Sequence, residues 1–132
     1  IIHANVSIFD DTIIGDNVVI QSGTVLGGNA FYYKKRPEGY DQLKSSGRVV
    51  INNNVHIGAS CTIDRGVTGN TTIGIGTKLD NLIQVGHDTL IGANCLIASH
   101  GFSDNINRSC KGILSENTCS RPFYDFNAFD HL

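Results

Sequence analysis

The sequence predicts an all-β fold, a parallel β-helix of stacked three-sided coils, and three registered columns of residues carry that prediction. An aliphatic residue returns every six positions at Ile2, Ile8, Ile14, Ile20 and Leu26, again at Ile51, Ile57 and Ile63, and again at Ile73, Leu79, Val85, Ile91 and Ile97. Four places after each stands a small or β-branched residue, among them Val6, Thr12, Val18, Thr24, Ala30, Val55, Cys61, Val67, Thr77, Ile83, Thr89 and Cys95. The place between them is held by Gly, Asn or Asp at Asn5, Asp11, Asn17, Gly23, Asn29, Asn54, Gly66, Gly76, Asp88 and Asn94. No helix has this period, and an ordinary strand alternates every second residue. A hexapeptide repeat is the mark of a solenoid.

Each hexad reads as a short strand followed by a corner. The aliphatic side chain points into a narrow prism, and the position four later also points inward, where only modest side chains fit. The Gly, Asn and Asp column supplies the φ > 0 that a tight corner needs. Three hexads make one coil, and coils stack at the ordinary strand spacing of ~4.8 Å. Neighbouring coils then bury each other's apolar faces, as in any solenoid.

The beat is interrupted twice, from about residue 31 to 50 and from about 69 to 72. Insertions in solenoids leave as loops on one face and often carry function. If each is a loop between consecutive faces, Ile51, Ile73 and Ile91 share one face. Ile57, Leu79 and Ile97 share a second, and Leu26, Ile63 and Val85 a third. Both loops then leave from the edge after the third face, beside a predicted corner stack of Gly28, Arg65 and His87. The long loop mixes Phe31, Tyr32, Tyr33 and Tyr40 with Lys34, Lys35, Arg36, Lys44 and Arg48. It is either a solvated excursion packed on the prism or a cationic flap for an acidic or phosphorylated partner.

Composition narrows the classes. The chain has 132 residues and a formal charge of −2, which argues for neither nucleic acid nor an acidic partner in bulk. It has no apolar run near the ~20 residues of a membrane span, and no signal peptide is visible. It starts mid-repeat at Ile1 and contains no Met, so a fragment of a longer protein is expected. Cys61 and Cys95 sit in the small inward column as compact apolar residues. Cys110 and Cys119 show neither zinc-ligand nor disulfide-framework spacing, and a reducing cytoplasm is expected. The repeat is assigned to residues 1–100. Residues 101–132 carry no hexads, with Ser103 where an aliphatic residue is due; they form a divergent cap or mark a change of frame.

His87, in LDNLIQVGHDTLIG, lies off both inward columns and is expected to project from a corner. A neutral imidazole there can take a proton from an attacking amine or hydroxyl. Asp88 or Asp80 could fix its tautomer, although Asp88 equally suits a corner. On pattern alone, an exposed structural histidine fits as well as a catalytic one.

The run from Ile51 to Ile97, with TIDRG (Thr62 to Gly66), GTKLDN (Gly76 to Asn81) and QVGHD (Gln84 to Asp88), resembles the UDP-3-O-acylglucosamine N-acyltransferase family of lipid A biosynthesis. The upstream hexads and GGNAFYY extend the likeness over residues 1–99. The resemblance implies a left-handed helix, a cytoplasmic homotrimer with sites between subunits, acyl carrier protein as acyl donor and a UDP-linked acylated glucosamine as acceptor. It implies no metal or organic cofactor. His87 falls on the family's catalytic base, and Arg65, Asp80, Asn81 and Gln84 become candidate substrate-binding residues. One coil beyond His87, where the family usually offers a glycine N–H to the thioester carbonyl, this chain has Asn105. Loss of such a donor typically costs ~10²–10³ in rate, so weak activity is expected of this chain alone.

Three rivals share the fold. An O-acyltransferase acting on UDP-N-acetylglucosamine has a similar histidine motif, and TIDRG with LDN favours the N-acyl enzyme. A γ-class carbonic anhydrase needs three zinc-binding histidines, and neither His56 nor His100 pairs suitably with His87. A non-catalytic or degenerate solenoid is the reading from a different class.

Overall fold

A computed structural model describes residues 1–99. The hexads form a left-handed parallel β-helix with one parallel sheet on each of three faces. Numbered from here on in chain order, the face of Leu26, Ile63 and Val85 is the first, and it carries β1 (Ser7–Ile8), β4 (Val25–Gly28), β9 (Thr62–Asp64) and β12 (Gln84–Val85) in that vertical order. The second stacks β2 (Ile13–Ile14), β7 (Arg48–Ile51), β10 (Asn70–Ile73) and β13 (Leu90–Ile91). The third stacks β3 (Val19–Ile20), β8 (His56–Ile57), β11 (Lys78–Leu79) and β14 (Leu96–Ile97). The remaining strands, β5 (Tyr33–Arg36) and β6 (Gly39–Gln42), pair antiparallel as a hairpin within the long loop.

The register follows the columns residue for residue. Ile51 pairs with Ile73 and Ile73 with Ile91, Ile57 with Leu79 and Leu79 with Ile97, and Leu26 with Ile63 and Ile63 with Val85. These side chains fill the prism together with Val55, Cys61, Ile83 and Cys95 from the small column. Two buried threonines in that column are fully bonded. Thr24 Oγ1 donates to Gly58 O at 2.7 Å and accepts from the Cys61 N–H at 3.1 Å. Thr77 repeats the arrangement in the next coil, at another corner, with Gly92 O at 2.8 Å and the Cys95 N–H at 3.1 Å. A hydroxyl that both donates and accepts escapes the penalty of an unpaired buried polar group. Burial raises the Cys61 thiol pKa, against opposing hydrogen bonds from Ile83, Thr24 and Leu82, and so leaves it a weak nucleophile.

The corners behave as their residue types require. Asn5, Asp11, Asn17, Asn54, Asp88 and Asn94 all have φ between 54° and 63°, and Gly23 and Gly76 have 80° and 75°. Ser60 and Leu82, which break the sequence column, adopt the same conformation at 54° and 58°. The backbone path therefore overrides the side chain at these two sites. Corners are also tight: a Cβ on Gly74 would lie 2.4 Å from Gly92 C and O in the next coil.

Two local expectations shift. Gly27 is a bulge with φ 88°, so Gly28 lies opposite Asp64, and Arg65 stands one residue past Gly28 rather than level with it. The predicted corner stack of Gly28, Arg65 and His87 is thus offset at its lower end. Both insertions end earlier than their predicted bounds: β7 begins at Arg48 with Val49 fully buried, and β10 begins at Asn70 with Thr71 buried in place of Val67.

The prism should lose about 2–5 kcal/mol on Ile57→Ala, which removes a fully buried side chain between two coils; urea unfolding measures it. Leu82→Asn should stabilise by roughly 1 kcal/mol, because Leu82 is 61% exposed and holds a left-handed φ that costs Leu more than Asn. A raised thermal midpoint reads this out.

Candidate functional site

Both loops leave the edge between the first and second faces, where His87 stands. The corner after β12 turns at Asp88, and the one-hexad step from Val85 to Ile91 sends the imidazole outward with 35% of its side chain exposed. Its Nδ1 lies 2.8 Å from Asp88 Oδ2. Partial burial works against ionisation of Asp88, but the hydrogen bond from His87, the Val67 N–H, the charge of a protonated His87 and the Gly69 N–H together lower its pKa. An ionised carboxylate only accepts, so in the neutral ring Nδ1 is the nitrogen that carries the proton and Nε2 the one with the lone pair. Asp88, not Asp80, is the tautomer-fixing neighbour.

The long loop reaches the same corner. The Tyr32 ring centroid is 6.2 Å from that of His87, tilted by 47°. Beyond it the hairpin projects, with Phe31 packed edge-on to Tyr33 at 5.1 Å. Phe31 and Tyr40 are 82% and 70% exposed, so these two do not cover the prism. Arg36 is ion-paired to Asp41 at 2.8 Å, which leaves Lys34 and Lys35 as the more available cations of β5. The hairpin was not legible in the sequence, because Pro37-Glu38 is not a usual two-residue hairpin turn and Lys, Arg, Gly and Asp are poor β-formers.

A polar ladder runs up the outer side of the first face beside His87. Thr62 Oγ1 donates to Gln84 Oε1, and Gln84 Nε2 donates to Asp64 Oδ2 at 2.9 Å. Burial raises the Asp64 pKa, opposed by that bond and by the charge of a protonated His87. Sequence reading named Gln84 but missed its partners, since neither Thr62 nor Asp64 stands out without the register.

The other named residues divide. Arg65 turns down the corner: its Nε donates to Gly27 O at 2.8 Å and its Nη2 to Asp10 O at 3.0 Å. Asp80 and Asn81 occupy a different corner, between the third and first faces. There Asp80 Oδ2 accepts from the Ser99 N–H at 3.1 Å and Asn81 Oδ1 from the Ala59 N–H at 2.7 Å. Asn105 lies outside the described residues, as do His100, Cys110 and Cys119. Among the described residues no group of three or more His, Cys, Asp and Glu is placed to share a metal ion, and no helix is long and apolar enough to cross a membrane.

Asp88 gives the site a pH signature. Its folded-state pKa is lowered, so its stabilisation is complete above the ordinary carboxylate value near pH ~4 and is lost as pH falls through the depressed value. Asp64 is raised and acts with the opposite sign. Asp88→Asn should flatten the acid limb of the stability curve below about pH 4, measured by urea unfolding across pH.

No family model matches the chain. It is 47% identical over 87 residues to UDP-3-O-acylglucosamine N-acyltransferases of Rhizobium etli and of two strains of Caulobacter vibrioides. The match covers 66% of this chain, which spans about a quarter of the length of these curated relatives (25% and 26%).

Proposed function

We propose that the chain is the β-helical catalytic part of an N-acyltransferase of lipid A biosynthesis, moving an acyl or hydroxyacyl chain from acyl carrier protein to the 2-amino group of a UDP-3-O-acylglucosamine. The observation that carries this reading is the His87–Asp88 pair, on a corner flanked by both loops, in a chain 47% identical over 87 residues to enzymes of that name.

In this reading the neutral glucosamine amine approaches His87 Nε2 and attacks the thioester carbonyl. Nε2 takes the proton as the C–N bond forms, while the Nδ1–H stays on Asp88, which stabilises the imidazolium. The tetrahedral oxyanion collapses, the carbon–sulfur bond breaks, and the proton passes from His87 to the departing thiolate. Asp64, Gln84 and Thr62 form a pre-bonded polar wall against which the sugar can be oriented. The working assembly in this proposal is a cytoplasmic homotrimer with sites between subunits.

His87→Ala should lower acyl transfer by about 10²–10⁴, the usual worth of a general base. The assay uses acyl carrier protein thioester and the amino-sugar acceptor; equal rates in both proteins reject the role. Transfer to the hydroxyl of UDP-N-acetylglucosamine instead would identify the O-acyl sibling. The cations of the hairpin also fit an acidic carrier protein. Reversing Lys34, Lys35 and Arg36 together to Glu should weaken its binding and flatten the salt dependence, read by titration at two ionic strengths.

A further inference from the structure

The carboxylate of Asp88 is shared. Besides His87 Nδ1, it accepts the Val67 N–H through both oxygens, Oδ1 at 3.2 Å and Oδ2 at 3.1 Å. The Asp88 N–H in turn donates to Thr71 Oγ1 at 2.9 Å. One ring donor alone would let the carboxylate swing; the amide of the short loop fixes its plane, and with it the ring. The position of that amide depends on residues 66–69.

Those residues are themselves held from outside. Val67 O accepts the Ser46 N–H at 2.8 Å and the Ser46 hydroxyl at 3.1 Å, Gly66 O accepts the Gly47 N–H at 2.9 Å, and Gly69 O accepts the Arg48 N–H at 3.2 Å. All these donors lie on the return limb of the long loop. The seam has no room to spare: a Cβ on Gly47 would lie 2.0 Å from Gly69 O and 2.4 Å from Gly66 O. A Cβ on Gly66 would lie 2.8 Å from Asp88 Oδ1. The outgoing limb touches the same histidine through Tyr32, and the two limbs are joined by the Leu43 N–H on Tyr32 O at 2.9 Å.

We propose that the short loop is a positioning element for His87, acting through Asp88, and that the return limb of the long loop sets its height. Gly47 and Val67 are then positioning residues: the hydrogen bonds they make go to Asp88 and to the short loop, and through these they determine which imidazole nitrogen is protonated. Displacement of the hairpin stem, whatever docks on its tip, reaches the imidazole through the Gly47–Gly66 and Val67–Asp88 hydrogen bonds. The link to catalysis rests on the general-base reading of His87; the link to tautomer does not.

The test is ¹⁵N NMR of the histidine rings at a pH where they are neutral, with His87 assigned from the signal lost in His87→Gln. The native chain should show His87 as a single Nδ1–H tautomer. Gly47→Ala, which wedges the seam, and Val67→Pro, which deletes the amide, should each convert it to a mixture of the two tautomers while circular dichroism of the prism is retained. If Gly47→Ala does not fold, Val67→Pro decides. A pure Nδ1–H tautomer in the folded variants overturns the proposal. In acyl-transfer assays both variants should lower kcat with little change in KM for the acceptor. A tautomer shift with no His87-dependent acyl transfer in the native chain would sink the functional reading and leave the positioning role standing.

Discussion

Every coil of this molecule takes its shape from the coil next to it. The Cys61 column, the Gly74 corner and the Thr24 and Thr77 hydroxyls all satisfy polar groups or fill space across one strand spacing, not within a coil. A single hexad has almost no internal contacts, so nothing fixes it except the register with its neighbours. That register explains why identical residue types recur at identical places, and why a loop can be inserted only where a corner leaves the ladder.

The same constraint decides what could be read from sequence. The three faces and the pairing of Ile51 with Ile73, Ile57 with Leu79 and Leu26 with Ile63 followed from counting alone, because the ladder forces them. So did the exit of both loops beside His87. The bulge at Gly27 was hidden, since a glycine after an aliphatic residue is also the ordinary pattern elsewhere in the repeat. Ser60 and Leu82 were hidden for the opposite reason: their conformation comes from the path of the chain, against their own preferences.

The candidate site was outlined by the sequence, and its wiring was not. His87 was singled out by its column and by a family resemblance, but the choice between Asp80 and Asp88 needed three dimensions. Asp80 is adjacent in motif and remote in space, at a corner one face away; Asp88 is both corner residue and partner. Arg65 illustrates the reverse case. Its place on the loop-bearing edge was anticipated, but its guanidinium faces backbone carbonyls rather than an open surface.

That arginine has a mechanical meaning. Solenoids unravel from their ends, one layer at a time, because each layer is fastened only to the next. Arg65 breaks this rule: from the third coil it reaches Gly27 in the second and Asp10 in the first, along a single corner. Parting the coil of Asp10 from the coil of Gly27 therefore also strains a fastening anchored in the coil beyond. The coil that carries His87 is thus stacked on one that is tied, at that corner, to both layers below it.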